Sequence, residues 1–156
     1  FFEWMCDHLL VSEYLLVYAA MLFTGQNGIK APKHANTSDI EKIVAGCRNQ
    51  AWDIAYLTNW STLYSNTEKY NEEFLFATND ILLKRVFVNK NGPNGLYGLL
   101  FKMFSKKEYT QIIDCIENRM KNRIKPDFGS DPHAYFQKLI EEEKHQLSQL
   151  LDEKGI

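Results

Sequence analysis

Cysteine is scarce in this chain, and its three copies, Cys6, Cys47 and Cys115, lie far apart. An odd number at such distances builds neither a disulfide framework nor a metal-ligand spacing, which points to a reducing compartment and a cytoplasmic location. His8, His34, His133 and His145 show no ligand spacing either. No apolar run is long enough to cross a bilayer: the stretch 9–23 is short and is broken by Glu13, so no membrane contact is expected. No signal peptide is visible, and the glycosylation-type triplets Asn36-Thr37-Ser38 and Asn59-Trp60-Ser61 therefore lack a secretory context. The net charge is only -2, so no global charge argues for nucleic acid. Internal repeats and low-complexity segments are absent as well.

What is present is a globular composition. The 156 residues are 45% hydrophobic and 13% aromatic, enough to bury a real core. The opening Phe1-Phe2-Glu3-Trp4-Met5 reads as the interior of a longer chain, with an upstream part expected. Charge is unevenly spread. Residues 81–125 carry Lys84, Arg85, Lys90, Lys102, Lys106, Lys107, Arg119, Lys121, Arg123 and Lys125 against Glu108, Asp114 and Glu117. A basic zone beside an acidic site would suit an enzyme that cleaves a polyanion. The plainer reading is that these cations solvate amphipathic helices.

The pattern predicts a helix over 2–24, ending before Gly25 and Gly28, then a loop over 26–36 punctuated by Pro32. Ser38-Asp39-Ile40-Glu41 has the form of a capping box and should open a helix to about residue 64. In that helix Ile40, Ile43, Val44, Cys47, Ala51 and Ile54 share one stripe. Beyond residue 51, Trp52, Tyr56, Leu57 and Trp60 add apolar bulk on other sides, which predicts enclosure on most faces. A polar loop leads to the apolar run 74–78, which reads as a buried strand. A short helix through residue 85, a second short strand over 85–88 and a turn over 89–95 follow. The rest reads as helical. An apolar stretch covers 96–104, the capping box Ser105-Lys106-Lys107-Glu108 opens a helix to about Ile124, and Asp131-Pro132 starts a last helix to about 153.

Two aspartates stand in or at the end of strongly apolar runs. Asp53 lies in Ala51-Trp52-Asp53-Ile54-Ala55-Tyr56-Leu57, and Asp80 closes Phe74-Leu75-Phe76-Ala77-Thr78-Asn79-Asp80. A buried carboxylate neutralises unless a cation or good donors compensate it. Oxygen ligands suit Mg2+ or Mn2+. An aspartate just past a buried strand faces the crevice where open parallel sheets bind ligands, and Thr78 could orient it. The alternative is that Asp80 merely caps the next helix. Asn49 shares the Asp53 face one turn earlier. Asp39 shares it too, but sits roughly 21 Å away at helical rise, too far to bind one metal with Asp53. Glu13, inside its apolar run, must be solvated, paired or a ligand.

Asn49, Ala51, Trp52 and Asp53 followed by Leu75, Phe76, Ala77, Thr78 and Asp80 resemble the C-terminal half of a PIN-like nuclease domain, over roughly residues 10–88. The resemblance implies an α/β fold, a small parallel sheet flanked by helices. It implies a domain over 1–88 lacking its first strand; 89–156, outside the resemblance, reads from its pattern as an all-helical extension packed on the same core. Asp53 and Asp80 would take the two later acidic positions, Glu13 the earlier helical one, with Thr78 and Asn49 in support. The family's first aspartate has no match here. The implied activity is Mg2+- or Mn2+-dependent cleavage of RNA phosphodiesters. The alternative is a non-catalytic helical binding or regulatory module that retains a nuclease-like shell. A third reading is a helical interaction protein, its aromatic-rich surfaces serving homo-oligomerisation.

Overall fold

The structure, a computed structural model, describes residues 1–9, 12–25, 29–122 and 127–155, and within these the side chains of all but residues 70, 119 and 120. The described residues form eight helices and no strand: α1 (Phe2–His8), α2 (Glu13–Phe23), α3 (Ile40–Tyr64), α4 (Thr67–Tyr70), α5 (Ile81–Lys90), α6 (Gly95–Met103), α7 (Lys106–Lys121) and α8 (Pro132–Lys154).

The expected α/β architecture is therefore overturned: there is no parallel sheet among the described residues. Residues 74–78, expected as a buried strand, form none, although their burial alternates as a strand's would. Phe74, Phe76 and Thr78 are partly buried while Leu75 and Ala77 are exposed. The inward side is satisfied by α3 instead of a ladder. The Trp60 indole N–H donates to the Phe74 carbonyl at 3.0 Å, and the Phe76 ring lies 5.4 Å from the Trp60 ring. A short apolar run cannot by itself distinguish these two ways of burying one side. Residues 85–88, expected as a second strand, lie inside α5, where Leu83 and Val86 are buried at helical spacing.

The chain divides into two compact units, one of Phe1–Lys30 with Trp52–Lys125 and the other of Ala31–Ala51 with Pro126–Ile156. The expected boundary at 88/89 falls inside α5. Residues 89–125 share a unit with 1–30 and 52–88, whereas 126–156 belong with 31–51.

The first unit is organised on α2. Seven of its eleven residues are buried: Tyr14, Leu16, Val17, Tyr18, Ala19, Ala20 and Met21. A helix apolar nearly all round must be covered on most sides, and α2 packs against both α5 and α6. α6 also meets α5 and α7, and α7 meets α1. Met5, Leu57, Val86, Leu100 and Ile116 complete a core from every one of these helices. Each such side chain contributes about 1.5–3 kcal/mol of transfer free energy. The single helix expected over 2–24 is two. α1 ends at His8 with Leu9 extended, and Ser12 opens α2, its Oγ accepting from the Leu15 N–H at 3.4 Å and bonding Thr58 Oγ1 at 2.9 Å. α2 ends where Thr24 Oγ1 donates to the Ala20 carbonyl and Gly25 takes a left-handed φ of 65°. Gly28 lies outside the described residues. Ser105 and Glu108 form the expected reciprocal capping box on α7. That helix is described to Lys121, and Ile124 lies outside the described residues.

The second unit contains the first half of α3 and all of α8. The α3 cap is displaced by one residue from the expected Ser38. Asp39 Oδ1 accepts from the Lys42 N–H at 3.2 Å, and Thr37 Oγ1 accepts from the Asp39 N–H. Asp131 caps α8 by accepting from the Ala134 N–H at 3.0 Å, with Pro132 in the first turn. Gly46 is the one fully buried residue among those described in this unit. A Cβ there would stand 1.9 Å from the Lys33 carbonyl oxygen, so the loop backbone lies directly on the helix at this glycine. α8 has no buried residue at all. Among the described residues no helix of the chain is long and apolar enough to cross a membrane.

Candidate functional site

Asp80 bears on Asp53 through its charge. Residues 74–78 lie against α3 at Trp60, and Asp80 follows them. The Asp53 carboxyl is raised above its usual range, first by burial and then by the Asp80 charge. The two carboxylates are thus electrostatic neighbours within the first unit.

The surroundings differ from those expected. The second half of α3 is not enclosed: Trp52 is 58% exposed, Tyr56 62% and Tyr64 60%, and only Ile54 and Leu57 face the core fully. Asp53 is partly exposed, Asp80 is exposed, and Asn49 is exposed one turn before Asp53. The enclosure argument fails because Trp and Tyr at four-residue intervals form a stripe of their own beside the buried one. Asp80 is the N-cap of α5, its Oδ1 accepting from the Leu83 N–H at 3.1 Å. Thr78 Oγ1 accepts from the Asp80 N–H at 3.0 Å and so holds the turn that aims this cap.

Glu13 is elsewhere. Its carboxylate pairs with Lys90 at 3.1 Å, and Lys90 Nζ stands over the Tyr14 ring at 5.3 Å. Tyr14 in turn donates to Ser61 Oγ and receives the Asn91 amide. Lys90 ends α5 whereas Asp80 begins it, and a helix of that length separates the two ends by roughly 15 Å. Asp80 thus bears electrostatically on Asp53, while Glu13 is held by Lys90 at the other end of α5. Among the described residues no group of three or more His, Cys, Asp or Glu is placed to hold a metal ion. For Mg2+ or Mn2+ the fit is poor: one oxygen of Asp80 is committed to a helix N–H, and the expected third acid is engaged by a lysine.

The basic side chains expected beside this site are spread over α5, α6 and α7, and Lys90 is engaged by Glu13 and Tyr14. Arg123 and Lys125 lie outside the described residues, as does the Arg119 side chain.

A different feature runs along the helix that carries Asp53. Trp52, Tyr56, Trp60 and Tyr64 follow one another at four-residue steps along α3. The first two rings lie 5.9 Å apart, and the last two stack at 5.3 Å. Beyond Tyr64 an open depression of about 710 Å³ is lined by residues that include Tyr64, Glu68, Glu73, Phe74 and Leu75, the last 89% exposed. The four-residue spacing of the aromatics was the sequence signal for this face. Comparison with protein-family models, curated proteins and solved structures returns no match.

Proposed function

We propose that this chain is a non-catalytic helical binding module, and that the α3 face from Trp52 to Tyr64, with the depression beyond it, receives a basic segment of a protein partner. The exposed aromatic stripe carries this reading. Large rings that remain in water after folding are the residues that dominate protein interfaces, and Trp and Tyr are the commonest anchors. Charge selects the partner. Over residues 52–80 the chain holds Asp53, Glu68, Glu72, Glu73 and Asp80 against Lys69 alone. Acidic groups around aromatic rings attract lysine and arginine, which gain a cation–π contact with the rings and bury their aliphatic stems on them. They also steer encounter in a salt-dependent way. The same acidity disfavours RNA on this face.

The test is titration of the full chain with an amphipathic peptide rich in arginine and leucine, followed by tryptophan fluorescence and calorimetry. Binding that weakens with salt, and weakens about tenfold or more in Trp52→Ala or Tyr64→Ala, is expected on the scale of interface hot spots. Equal binding of a peptide with glutamine at every basic position, or unchanged affinity in both variants, would overturn it.

A second reading keeps Asp53 and Asp80 as part of a Mg2+- or Mn2+-dependent ribonuclease. Their electrostatic proximity favours it; the all-helical fold and the diverted Glu13 do not. Manganese-dependent cleavage of RNA by the full chain, abolished in Asp53→Asn, would establish this reading over the first.

A further inference from the structure

The geometry points to a self-association surface in the second unit: α8 packs antiparallel on α8 of a second copy, so that two α3–α8 pairs complete one four-helix bundle. This inference is independent of the aromatic face on the second half of α3. It starts from a deficit. Ile43, Val44 and Cys47 of α3 and Ile140, Leu147 and Leu150 of α8 line an open groove of about 340 Å³. None of these side chains is fully buried, and Leu150 is more than half exposed. Two helices of this size cannot enclose a core alone, and small helical units are completed by association.

The sequence of α8 says what completes it. Phe136, Ile140, Glu143, Leu147 and Leu150 repeat at the 3.5-residue interval of a helix–helix seam. Read against itself in the opposite direction about a point between Glu143 and Lys144, the helix is self-complementary. Ile140 falls opposite Leu147, Phe136 opposite Leu151, and Glu143 opposite Lys144 of the second copy. Two apolar pairs thus flank the axis on each side and the charges at its centre meet with opposite sign, while Leu150 falls opposite Gln137 towards the edge. A two-fold interface makes each of these contacts twice. Within one chain Lys144, which itself lines the groove, bridges Glu41 at 2.6 Å and Glu141 at 3.2 Å, so Glu143 of the second copy would join carboxylates that Lys144 already holds. Antiparallel pairing of two helical hairpins is a standard route to a four-helix bundle.

The test is sedimentation velocity of the full chain across the micromolar range, with Leu147→Glu as the variant. A dimer is expected for the natural chain, with association weakened about a hundredfold or more in the variant because each interface would bury two unpaired carboxylates. Trp4, Trp52 and Trp60 all lie in the first unit, so unchanged tryptophan emission shows that the variant keeps that unit folded. Glu143→Cys serves as a second probe, since its thiol lies near the two-fold axis. It should form an interchain disulfide under mild oxidation, whereas Ala134→Cys, at the far end of the helix, should not. A natural chain that stays monomeric throughout, whether the groove is covered from within the chain or by a different protein, would overturn the proposal. So would a dimer indifferent to Leu147→Glu, or crosslinking through position 134 in place of 143.

Discussion

The two halves of α3 belong to units of opposite character. Its second half sends Ile54 and Leu57 into a core that also draws on α1, α2, α5, α6 and α7, with seven fully buried large side chains, among them Leu16, Leu57 and Leu100. Its first half, with a comparable apolar stripe, lies in a unit where the one fully buried described residue is a glycine. An apolar stripe says that a helix has a face to cover. It does not say whether the chain supplies the cover. In the first unit several helices of the same chain supply it together. In the second, α8 offers an apolar seam but no buried residue, and the missing cover is the proposed second copy.

The largest effects should separate the two units by mechanism. Leu57→Ala removes a fully buried side chain and should lower stability by about 2–5 kcal/mol at any protein concentration. Leu150→Ala, on the exposed seam of α8, should lose stability only to the extent that the dimer forms, so its effect on a denaturation midpoint should grow with concentration. A concentration-independent loss of similar size in both would erase the distinction. Next comes Gly46→Ala. The new methyl meets the Lys33 carbonyl and must push the loop off α3, an overpacking strain of about 1–3 kcal/mol. The loss should show in the helicity of the second unit and leave tryptophan emission from the first unchanged.

Smaller effects belong to the acidic pair. Asp80→Ala removes the α5 cap and should cost about 1 kcal/mol, measurable by urea denaturation. Asp53→Asn should do the reverse and stabilise by about 0.5 kcal/mol or less, the scale of an exposed charge pair. The sign follows from the raised Asp53 carboxyl. A group that holds its proton more tightly folded than unfolded contributes stability that is complete below the unfolded pKa and is lost as pH rises through the folded one. The gain from Asp53→Asn should therefore appear on raising the pH through the carboxylate range and vanish in acid. Asp39 and Glu108, both lowered by their hydrogen-bond partners, run the other way, losing their contribution as pH falls.

Local chemistry was legible in the sequence and distant pairing was not. The Ser105–Glu108 box, the Asp131 cap with Pro132 and the 25-residue span of α3 all depend on neighbours within a turn or on one continuous pattern. The α3 cap moved by one residue because Ser38 and Asp39 can both accept a helix N–H, and their competition is decided by geometry. The run 74–78 has the alternation of a strand, but its partner is the flank of α3. Asp53 and Asp80 were paired through a fold that does not exist here; the Asp80 charge bears on Asp53 because 74–80 follows the flank of α3. Glu13 could be solvated, paired or a ligand, and the resemblance placed it as a ligand; its partner Lys90 is remote in sequence and so gave no local signal of the pairing. The division into units joins 31–51 to 126–156, a pairing no local pattern announces.

The central claim is that the first unit is complete in one chain and the second is not. Native-state hydrogen exchange at two widely separated protein concentrations tests it directly. The account predicts strong, concentration-independent protection in α2 and α6, and protection in α8 that rises with concentration. Amides of α8 as slow at the lowest concentration as at the highest, and as slow as those of α2, would contradict it.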